Sequence, residues 1–187
     1  MSSLDVVTVG DPVLRERARE LTVDELRAAA TQRLIDDMIE TKRDHAGAGL
    51  AANQVGLPVR IAVIEVEDDN PRYPYKPPFP LTVIVNPELQ PVGDETVLVN
   101  EGCLSVPDLR GDVSRYVSIR VRSLDRHGEP QEHVVQGLTA GTFQHEIDHL
   151  DGILFLDRAD PRTLATWEQW ERHGRDDFLA RIADLPR

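Results

Sequence analysis

The spacing of apolar and polar positions divides the chain into helical and extended segments. Over residues 25–43, apolar residues recur three and four positions apart, which predicts an amphipathic helix with Asp24 as its N-cap. Runs rich in Val and Ile at 59–66 and 81–86 predict two strands. Residues 67–80 between them include five prolines, which favour an exposed loop because proline has no amide hydrogen to donate.

The second half of the chain predicts one more hairpin and two helices. Polar and apolar residues alternate over 114–124, as in a half-buried strand, and a short turn leads to a partner strand at 130–136. A helix is predicted at 138–150, with Gly152 just beyond its end, and a last helix from near Pro161. This order predicts an α+β fold, with mainly antiparallel sheets around a central helix and a C-terminal helix.

Length and composition restrict the class of protein. The 187 residues fit one domain, predicted over 1–187, and 40% hydrophobic with 29% charged residues is typical of a globular chain. A net charge of −12 argues against direct binding of nucleic acid or of an anionic membrane. The chain has one cysteine and no apolar run near the roughly 18 residues of a membrane span. We therefore expect a cytoplasmic protein.

Two histidines lie four positions apart in the segment QHEIDH of the predicted central helix. His145 and His149 would share one helix face, one turn apart, where both imidazoles can bind one metal ion. Glu146 can reach a water at the open position of that metal, as in other His-Glu-x-x-His helices. Asp148 points about 100° away from the metal side. It is predicted either to pair with an arginine such as Arg115 or to be a solvated helix charge.

The residues alone leave the third metal ligand open. A catalytic metal usually has three protein ligands and one open position. Cys103 is a candidate because Gly102 precedes it in the segment EGCLS, although a lone cysteine is more often a small buried apolar residue. The small residues at 47–56 would admit a substrate or another backbone, or would form a tight connection under the sheet.

Together, three segments of the chain resemble peptide deformylase. That family carries GxGLAAxQVG, EGCLS and QHExDH in this order, and the chain matches all three, at 47–56, 101–105 and 144–149. The resemblance extends over about residues 5–160, whereas the stretch from about Pro161 is less typical.

The resemblance implies a hydrolase that removes the formyl group from N-terminal formyl-methionine of nascent polypeptides and releases formate. It implies that Cys103, His145 and His149 bind the metal and that Glu146 is the catalytic acid/base. It also implies ferrous iron in the cell, with zinc, nickel or cobalt able to occupy the site. The Cys/His/His set by itself suits zinc by affinity order.

The resemblance also implies how substrate is held. It places the Gln54 side chain and the Leu104 backbone N–H around the carbonyl oxygen of the formyl group. The peptide would bind as an added strand to backbone near Ala48 and Gly102. The methionine side chain would enter an apolar pocket, whose candidate lining residues are Gly49, Leu138, Thr142 and His145.

Other interpretations stay open from the residues. A zincin-type metallopeptidase would take its third ligand downstream, where Glu168, Glu171 and His173 lie. Another amide hydrolase is a further alternative. A closed structural site with a fourth ligand would have no use for Glu146.

A transient ribosome contact is also left open. Some bacterial deformylases are thought to dock on the ribosome through a basic C-terminal helix. Residues 160–187 here carry six acidic and five basic side chains, which is not a basic balance. Trp167 and Trp170 are predicted to pack this region on the body of the protein.

Overall fold

Strands in two antiparallel sheets surround one helix in the computed structural model, which describes residues 3–186. Residues 1, 2 and 187, the ends of the predicted 1–187 domain, lie outside the described range. The strands are β1 (Gly49–Ala51), β2 (Ile61–Val66), β3 (Phe79–Pro91), β4 (Thr96–Cys103), β5 (Val106–Tyr116), β6 (Ser118–Leu124), β7 (Pro130–Gln136) and β8 (Ala165–Thr166). The larger sheet has the order β1-β2-β3-β6-β7 and the smaller one β4-β5-β8.

The helices of the described chain lie before, between and after the sheet segments. They are α1 (Val23–Arg27), α2 (Ala29–Asp44), α3 (Gly137–Leu150), α4 (Trp167–His173) and α5 (Arg175–Ile182). Every residue of α3 is buried, and this helix contacts strands of both sheets. The predicted α+β class, with antiparallel sheets around a central helix and a C-terminal helix, is therefore confirmed.

Apolar residues on one face of α3 fill the space against the larger sheet. Phe143, which is fully buried, contributes roughly 2–3 kcal/mol by leaving water. Its ring meets Phe79 edge-on, with centroids 5.5 Å apart. The other buried residues of this core include Ile64, Ile84, Ile119, Val121, Ala140, Ile147 and Leu150. Packing against the larger sheet thus fixes the position of α3, the helix that carries the two histidines.

The N-terminal helix differs from its prediction in two ways. It is interrupted at Ala28, whose φ of −61° and ψ of 139° are extended rather than helical. Its N-cap is Thr22 and not Asp24, because Thr22 accepts a hydrogen bond from the Glu25 N–H while the Glu25 side chain accepts one from the Thr22 N–H. The sequence pattern missed this reciprocal cap because Asp24 is itself a favoured capping residue.

The proline-rich segment 67–80 is not simply an exposed loop. Asn70 is buried: its side-chain oxygen accepts bonds from the N–H groups of Arg72 and Tyr73, and its amide donates to the Ala46 carbonyl. Tyr73 is buried as well, and strand β3 begins at Phe79, inside the segment. Side chains from the loop therefore fold back onto the body, which proline content alone does not reveal.

Three further boundaries differ from the sequence prediction. The predicted strand 114–124 is divided at Val117, where the chain leaves β5 of one sheet and enters β6 of the other. Strand β1 was missed because its three residues, GLA, include no β-branched residue. Strand β4 was missed although it begins with TVLV, a run typical of a strand. The segment from Pro161 starts with a 3₁₀ helix and β8, so the α-helical part begins only at Trp167.

Two elements were placed correctly. Gly152 follows α3 with a φ of +74°, as a glycine beyond a helix end requires. Trp170 is buried. The ring centres of Trp167 and Trp170 lie 4.2 and 4.0 Å from the guanidinium carbon of Arg110. The C-terminal region therefore packs on the body of the protein, as predicted. No helix of the described chain combines the length and the apolar character needed to cross a membrane.

A buried ion cluster joins α2 to β2. The Glu65 carboxylate accepts bonds from Lys42 Nζ at 2.7 Å and from Arg43 Nε and its terminal nitrogen at 2.9 and 2.8 Å. The bonds from Arg43, aided by Lys42 and opposed by burial, lower the pKa of Glu65 from 4.5 to about 2. The ionised form is therefore the one that the folded protein favours.

This cluster predicts a loss of stability in acid. A depressed carboxyl pKa contributes stability above about pH 4.5, and the contribution disappears as the pH falls towards 2. Wild type should exceed an E65Q variant by on the order of 2 kcal/mol at neutral pH, and this difference should shrink near pH 3. Urea unfolding of both proteins at the two pH values measures it. A difference that does not change with pH would contradict the prediction.

Candidate metal centre and cleft

Three potential metal ligands converge where α3 meets the end of β4. His145 and His149 lie one turn apart on α3, with ring centroids 4.9 Å apart. Cys103 is the last residue of β4, and its sulfur lies 3.2 Å from His149 Nε2. One potential ligand atom from each residue lies within 4.8 Å of the others. The tertiary structure therefore joins the lone cysteine to the two histidines, as the resemblance implied.

The electrostatics of this cluster favour a thiolate. Burial opposes ionisation of Cys103, but the charge of His149 and hydrogen bonds from His145 and His149 hold the pKa of the thiol well below its usual value. Thiolate sulfur and imidazole nitrogen are the ligands of tetrahedral zinc and of comparable divalent metals. The donor set thus fits a divalent metal ion with one further position for water or substrate.

A chain of buried charges holds His145 in place. The His145 Nδ1 lies 2.8 Å from Glu101 Oε2, so its Nε2 is the nitrogen left for a metal. Glu101 also accepts two bonds from Arg115, at 2.6 and 2.9 Å, and Arg115 donates a third bond to Asp148 at 2.6 Å. Of the two alternatives for Asp148, pairing with Arg115 is therefore the one that the structure shows. Asp148 also accepts two bonds from Arg158.

Gln54 presents its amide nitrogen to the same site. Its side-chain oxygen accepts a bond from the Ala51 N–H at 2.9 Å, which orients the amide. The Nε2 then lies 3.2 Å from Ser105 Oγ and 3.5 Å from Cys103 Sγ. The side chain is buried in the 3₁₀ helix that follows β1. Gln54 is therefore a fixed donor beside the thiol.

Glu146 is buried and aimed into the cleft. Burial raises its pKa above 4.5, opposed mainly by the charges of His145 and His149. Its Oε2 has no hydrogen-bond partner among the described residues. A buried carboxylate oxygen without a protein partner is suited to a water or substrate proton.

Gly49 makes room for the Glu146 carboxylate. A Cβ at Gly49 would lie 2.6 Å from Glu146 Cγ and Cδ, which is closer than real Cβ contacts. We expect G49A to displace the carboxylate and lower kcat/KM on the order of 100-fold, because a shift of about 1 Å can have that effect. Metal content and thermal unfolding, measured in parallel, separate this effect from loss of the fold. A G49A protein with wild-type kcat/KM would refute it.

The remaining predicted residues line one cleft between the two sheets. Strand β1 pairs only with β2, and β4 only with β5, so each is an edge strand of its sheet. The cleft runs between these edges, over α3. Its lining includes all of the predicted substrate-binding residues, Ala48, Gly49, Gly102, Leu138 and Thr142, together with Leu104. The sequence-predicted site residues are thus brought together in one place.

Several residues that complete the cleft were not predicted from the sequence. Glu101 was part of the EGCLS segment but was given no role, although a carboxylate beside a ligand segment is a signal for a histidine partner. Tyr73, Tyr75 and Lys76 line the cleft from the proline-rich loop. Burial lowers the pKa of Lys76 from 10.5 to about 8. No spacing in the sequence marks these three residues, because a long loop returns them to the site.

These observations define a class of protein. The site combines a buried set of one thiolate and two imidazoles, which leaves a metal one free position, with an unpaired carboxylate and a fixed amide donor. It lies beside a cleft between edge strands. This combination is typical of metal-dependent hydrolases of amide substrates. Within the described residues Cys103, His145 and His149 form the one such cluster of potential ligands.

Comparison with known proteins names the family within this class. Residues 3–165 match the polypeptide deformylase family, and the chain belongs to it. Peptide deformylase 1 of Prochlorococcus marinus is 43% identical over 158 residues, covering 84% of this chain and 81% of that protein. The chloroplastic peptide deformylase 1A of Solanum lycopersicum is 40% identical over 174 residues, covering 88% of this chain and 62% of that protein.

Solved structures agree with this assignment. A class I type b peptide deformylase from Acinetobacter baumannii, with Met-Ala-Ser bound, has a TM-score of 0.80 and 40% identity, covering 84% of this chain and 99% of that one. The deformylase of Thermotoga maritima has a TM-score of 0.75 and 35% identity. The chain is therefore a metal-dependent hydrolase that removes the formyl group from N-terminal formyl-methionine. These relatives do not favour the zincin-type alternative.

Proposed function

We propose that Cys103, His145 and His149 hold the metal ion of this deformylase and that Glu146 transfers the proton of the reaction. The observation that carries the proposal is the unpartnered Glu146 Oε2 beside the Cys/His/His cluster. A structural metal site would have no use for a buried, unpaired carboxylate, whose desolvation is unfavourable.

The reaction follows from the positions of these groups. The bound metal supplies polarisation of the formyl carbonyl and a water that ionises near neutral pH. Glu146 accepts the proton of the attacking water and delivers it to the amine nitrogen as the formyl C–N bond breaks. The water oxygen remains on the formate, and the peptide leaves with a free N-terminal amine.

Gln54 and the Leu104 backbone N–H bind the formyl oxygen in this proposal. Gln54 is oriented by the Ala51 N–H, so its amide hydrogens need no reorganisation when charge develops on that oxygen. Each such donor is worth roughly 2.7–4 kcal/mol at other oxyanion sites.

The peptide backbone binds as an added strand between the sheet edges. Ala48 precedes β1 and Gly102 lies in β4, on opposite walls of the cleft, and the small residues 47–49 leave space for an extended chain. The Acinetobacter baumannii relative was solved with Met-Ala-Ser bound, a peptide of the expected product type. Gly49, Leu138 and Thr142 would border the methionine side chain.

We propose ferrous iron as the metal in the cell, with zinc, nickel or cobalt able to replace it. The test is formate release from formyl-Met-Ala-Ser by anaerobically purified protein, with metal content measured on the same sample. Formate release that follows the iron content supports the proposal. Stoichiometric zinc with no iron and full activity would refute iron but leave the deformylase assignment standing.

We further infer that residues 1–187 act as one catalytic domain in the cytoplasm, where formyl-methionyl nascent peptides are available.

A ribosome contact of this chain would be transient. It would not use α4 and α5 as a basic anchor, because acidic residues outnumber basic ones over 160–187. Co-sedimentation with ribosomes at low and high salt measures this contact, and a salt-resistant complex would contradict it.

A further inference from the structure

Lys76 projects from the proline-rich loop into the part of the cleft that borders α3. It is half-buried and lines the cleft together with Leu138 and Thr142. Its Nζ donates a hydrogen bond to Thr142 Oγ1 at 2.7 Å. Thr142 precedes His145 by three residues, which is about 4.5 Å along the helix, a distance comparable with the length of a methionine side chain. If the methionine side chain enters the pocket bordered by Leu138 and Thr142, as in the proposed function, the ammonium lies near the end of that side chain.

The loop holds Lys76 in a defined position. Its backbone N–H donates to the Tyr73 carbonyl at 3.0 Å, and its Nζ lies 4.8 Å from the centre of the Tyr73 ring. Tyr73 is itself fixed by the buried Asn70. Prolines at 74, 77 and 78 restrict the backbone on both sides. An ordered ammonium of this kind can act as a donor without first losing much side-chain freedom.

The ammonium keeps donor capacity towards the cleft. A lysine has three N–H donors, and within the described residues its one conventional acceptor is Thr142 Oγ1. The Thr142 hydroxyl donates its own hydrogen to the Leu138 carbonyl at 3.1 Å, so it can only accept from Lys76. Lysine occurs in this chain only at positions 42 and 76, and every other basic side chain apart from histidine is arginine. A compact ammonium, unlike a planar guanidinium, can turn a second donor towards a ligand.

Building on the proposed function, we propose that Lys76 is a specificity-determining residue that donates a hydrogen bond to an acceptor atom near the end of the substrate's first side chain. The preferred side chains are then of methionine length and carry such an acceptor. A thioether sulfur is a weak acceptor, a sulfoxide oxygen is a strong one, and the hydrocarbon side chain of norleucine has none. The chain would therefore also deformylate peptides that begin with formyl-methionine sulfoxide.

The physical reason lies in polar desolvation. An apolar pocket rejects a sulfoxide, because its oxygen would lose its water without gaining a partner. An ammonium already held in the pocket provides that partner. Conversely, norleucine leaves the free donors of Lys76 without an acceptor, which a site built around a donor disfavours.

The test compares kcat/KM for formyl-Met-Ala-Ser, formyl-norleucine-Ala-Ser and the sulfoxide form of the first peptide. Wild type is compared with K76M, which keeps the length of the side chain and removes the donor. We expect K76M to lower the ratio of sulfoxide to methionine peptide at least about tenfold, as loss of one hydrogen bond implies. The ratio of norleucine to methionine peptide should rise.

R72M is the matched control. It removes a cation from the same loop, whose guanidinium carbon lies 5.7 Å from the centre of the Tyr73 ring, but Arg72 does not line the cleft. R72M should keep the wild-type ratios. A K76Q variant retains an amide donor and should recover part of the sulfoxide preference. K76L, which also lacks a donor, replaces K76M if that variant does not fold.

The outcomes are distinct. The proposal would be overturned if K76M left both ratios unchanged. This includes the case in which kcat/KM falls by the same factor for all three peptides. A similar change of the ratios in R72M would also overturn it, since loop charge rather than the Lys76 donor would then be responsible. Failure of metal-loaded wild type to release formate from formyl-Met-Ala-Ser would instead refute the deformylase function on which the proposal rests.

Discussion

Replacing Glu146 with glutamine is expected to lower kcat/KM for formyl-Met-Ala-Ser by about 10²–10⁴-fold, the usual range for a lost general acid/base. Glutamine has nearly the same volume but can neither accept the proton of the water nor deliver it to the amine. The buried Oε2 without a protein partner is the atom that performs this transfer in our proposal. Metal content should be unchanged, because Glu146 is not one of the three clustered ligands.

The control for this experiment is E168Q. Glu168 has a side chain that is 73% exposed and lies on α4, where it bonds only Arg172 in the described structure. The same chemical change at this position should leave kcat/KM within about twofold, since exposed pairs of this kind contribute little. An E146Q protein with full metal and near wild-type turnover would remove Glu146 from the mechanism.

Replacing Arg115 with methionine is expected to destabilise the fold by about 3–5 kcal/mol, the usual effect of removing one partner of a buried ion pair. Arg115 has a side chain that is 4% exposed and neutralises two buried carboxylates, Glu101 and Asp148. Without it, Glu101 would keep only His145 among these partners, and Asp148 only Arg158. Urea unfolding and the melting temperature both measure the loss.

R122M provides the comparison for Arg115. Arg122 also pairs with a glutamate, Glu132, but their side chains are 57% and 44% exposed. We expect R122M to change the free energy of unfolding far less than R115M does, because solvent screens this pair. Equal effects of R115M and R122M would mean that the buried charge chain does not support the centre.

Arg115 should also affect the metal. Glu101 fixes the Nδ1 of His145, and the orientation of a ligating histidine depends on that bond. R115M protein that remains folded at low temperature is therefore expected to bind metal about 10–100-fold more weakly, as seen when such outer contacts are lost. Metal competition with a chelator measures this affinity.

Local patterns along the chain determined the metal-binding helix and one hairpin. The four-residue spacing of His145 and His149 places them on one face of any helix, and Glu146 beside them, because the helical period is 3.6 residues. The alternation over 114–124 and the turn that follows it likewise predicted the hairpin of β6 and β7. These features depend on neighbours in sequence, so they are readable without the fold.

The tertiary structure alone decided the rest. Cys103 joins the histidines, 42 residues or more away, only because β4 ends beside α3. Lys76 enters the cleft because Asn70 and Tyr73 fold the proline-rich loop inward, against the exposed loop that its prolines predicted. Glu101 and Arg115 meet across paired strands around a buried histidine. Each of these is a contact between segments that are distant in sequence. The free energy of such a contact depends on packing and burial, which the spacing of residues along the chain does not determine.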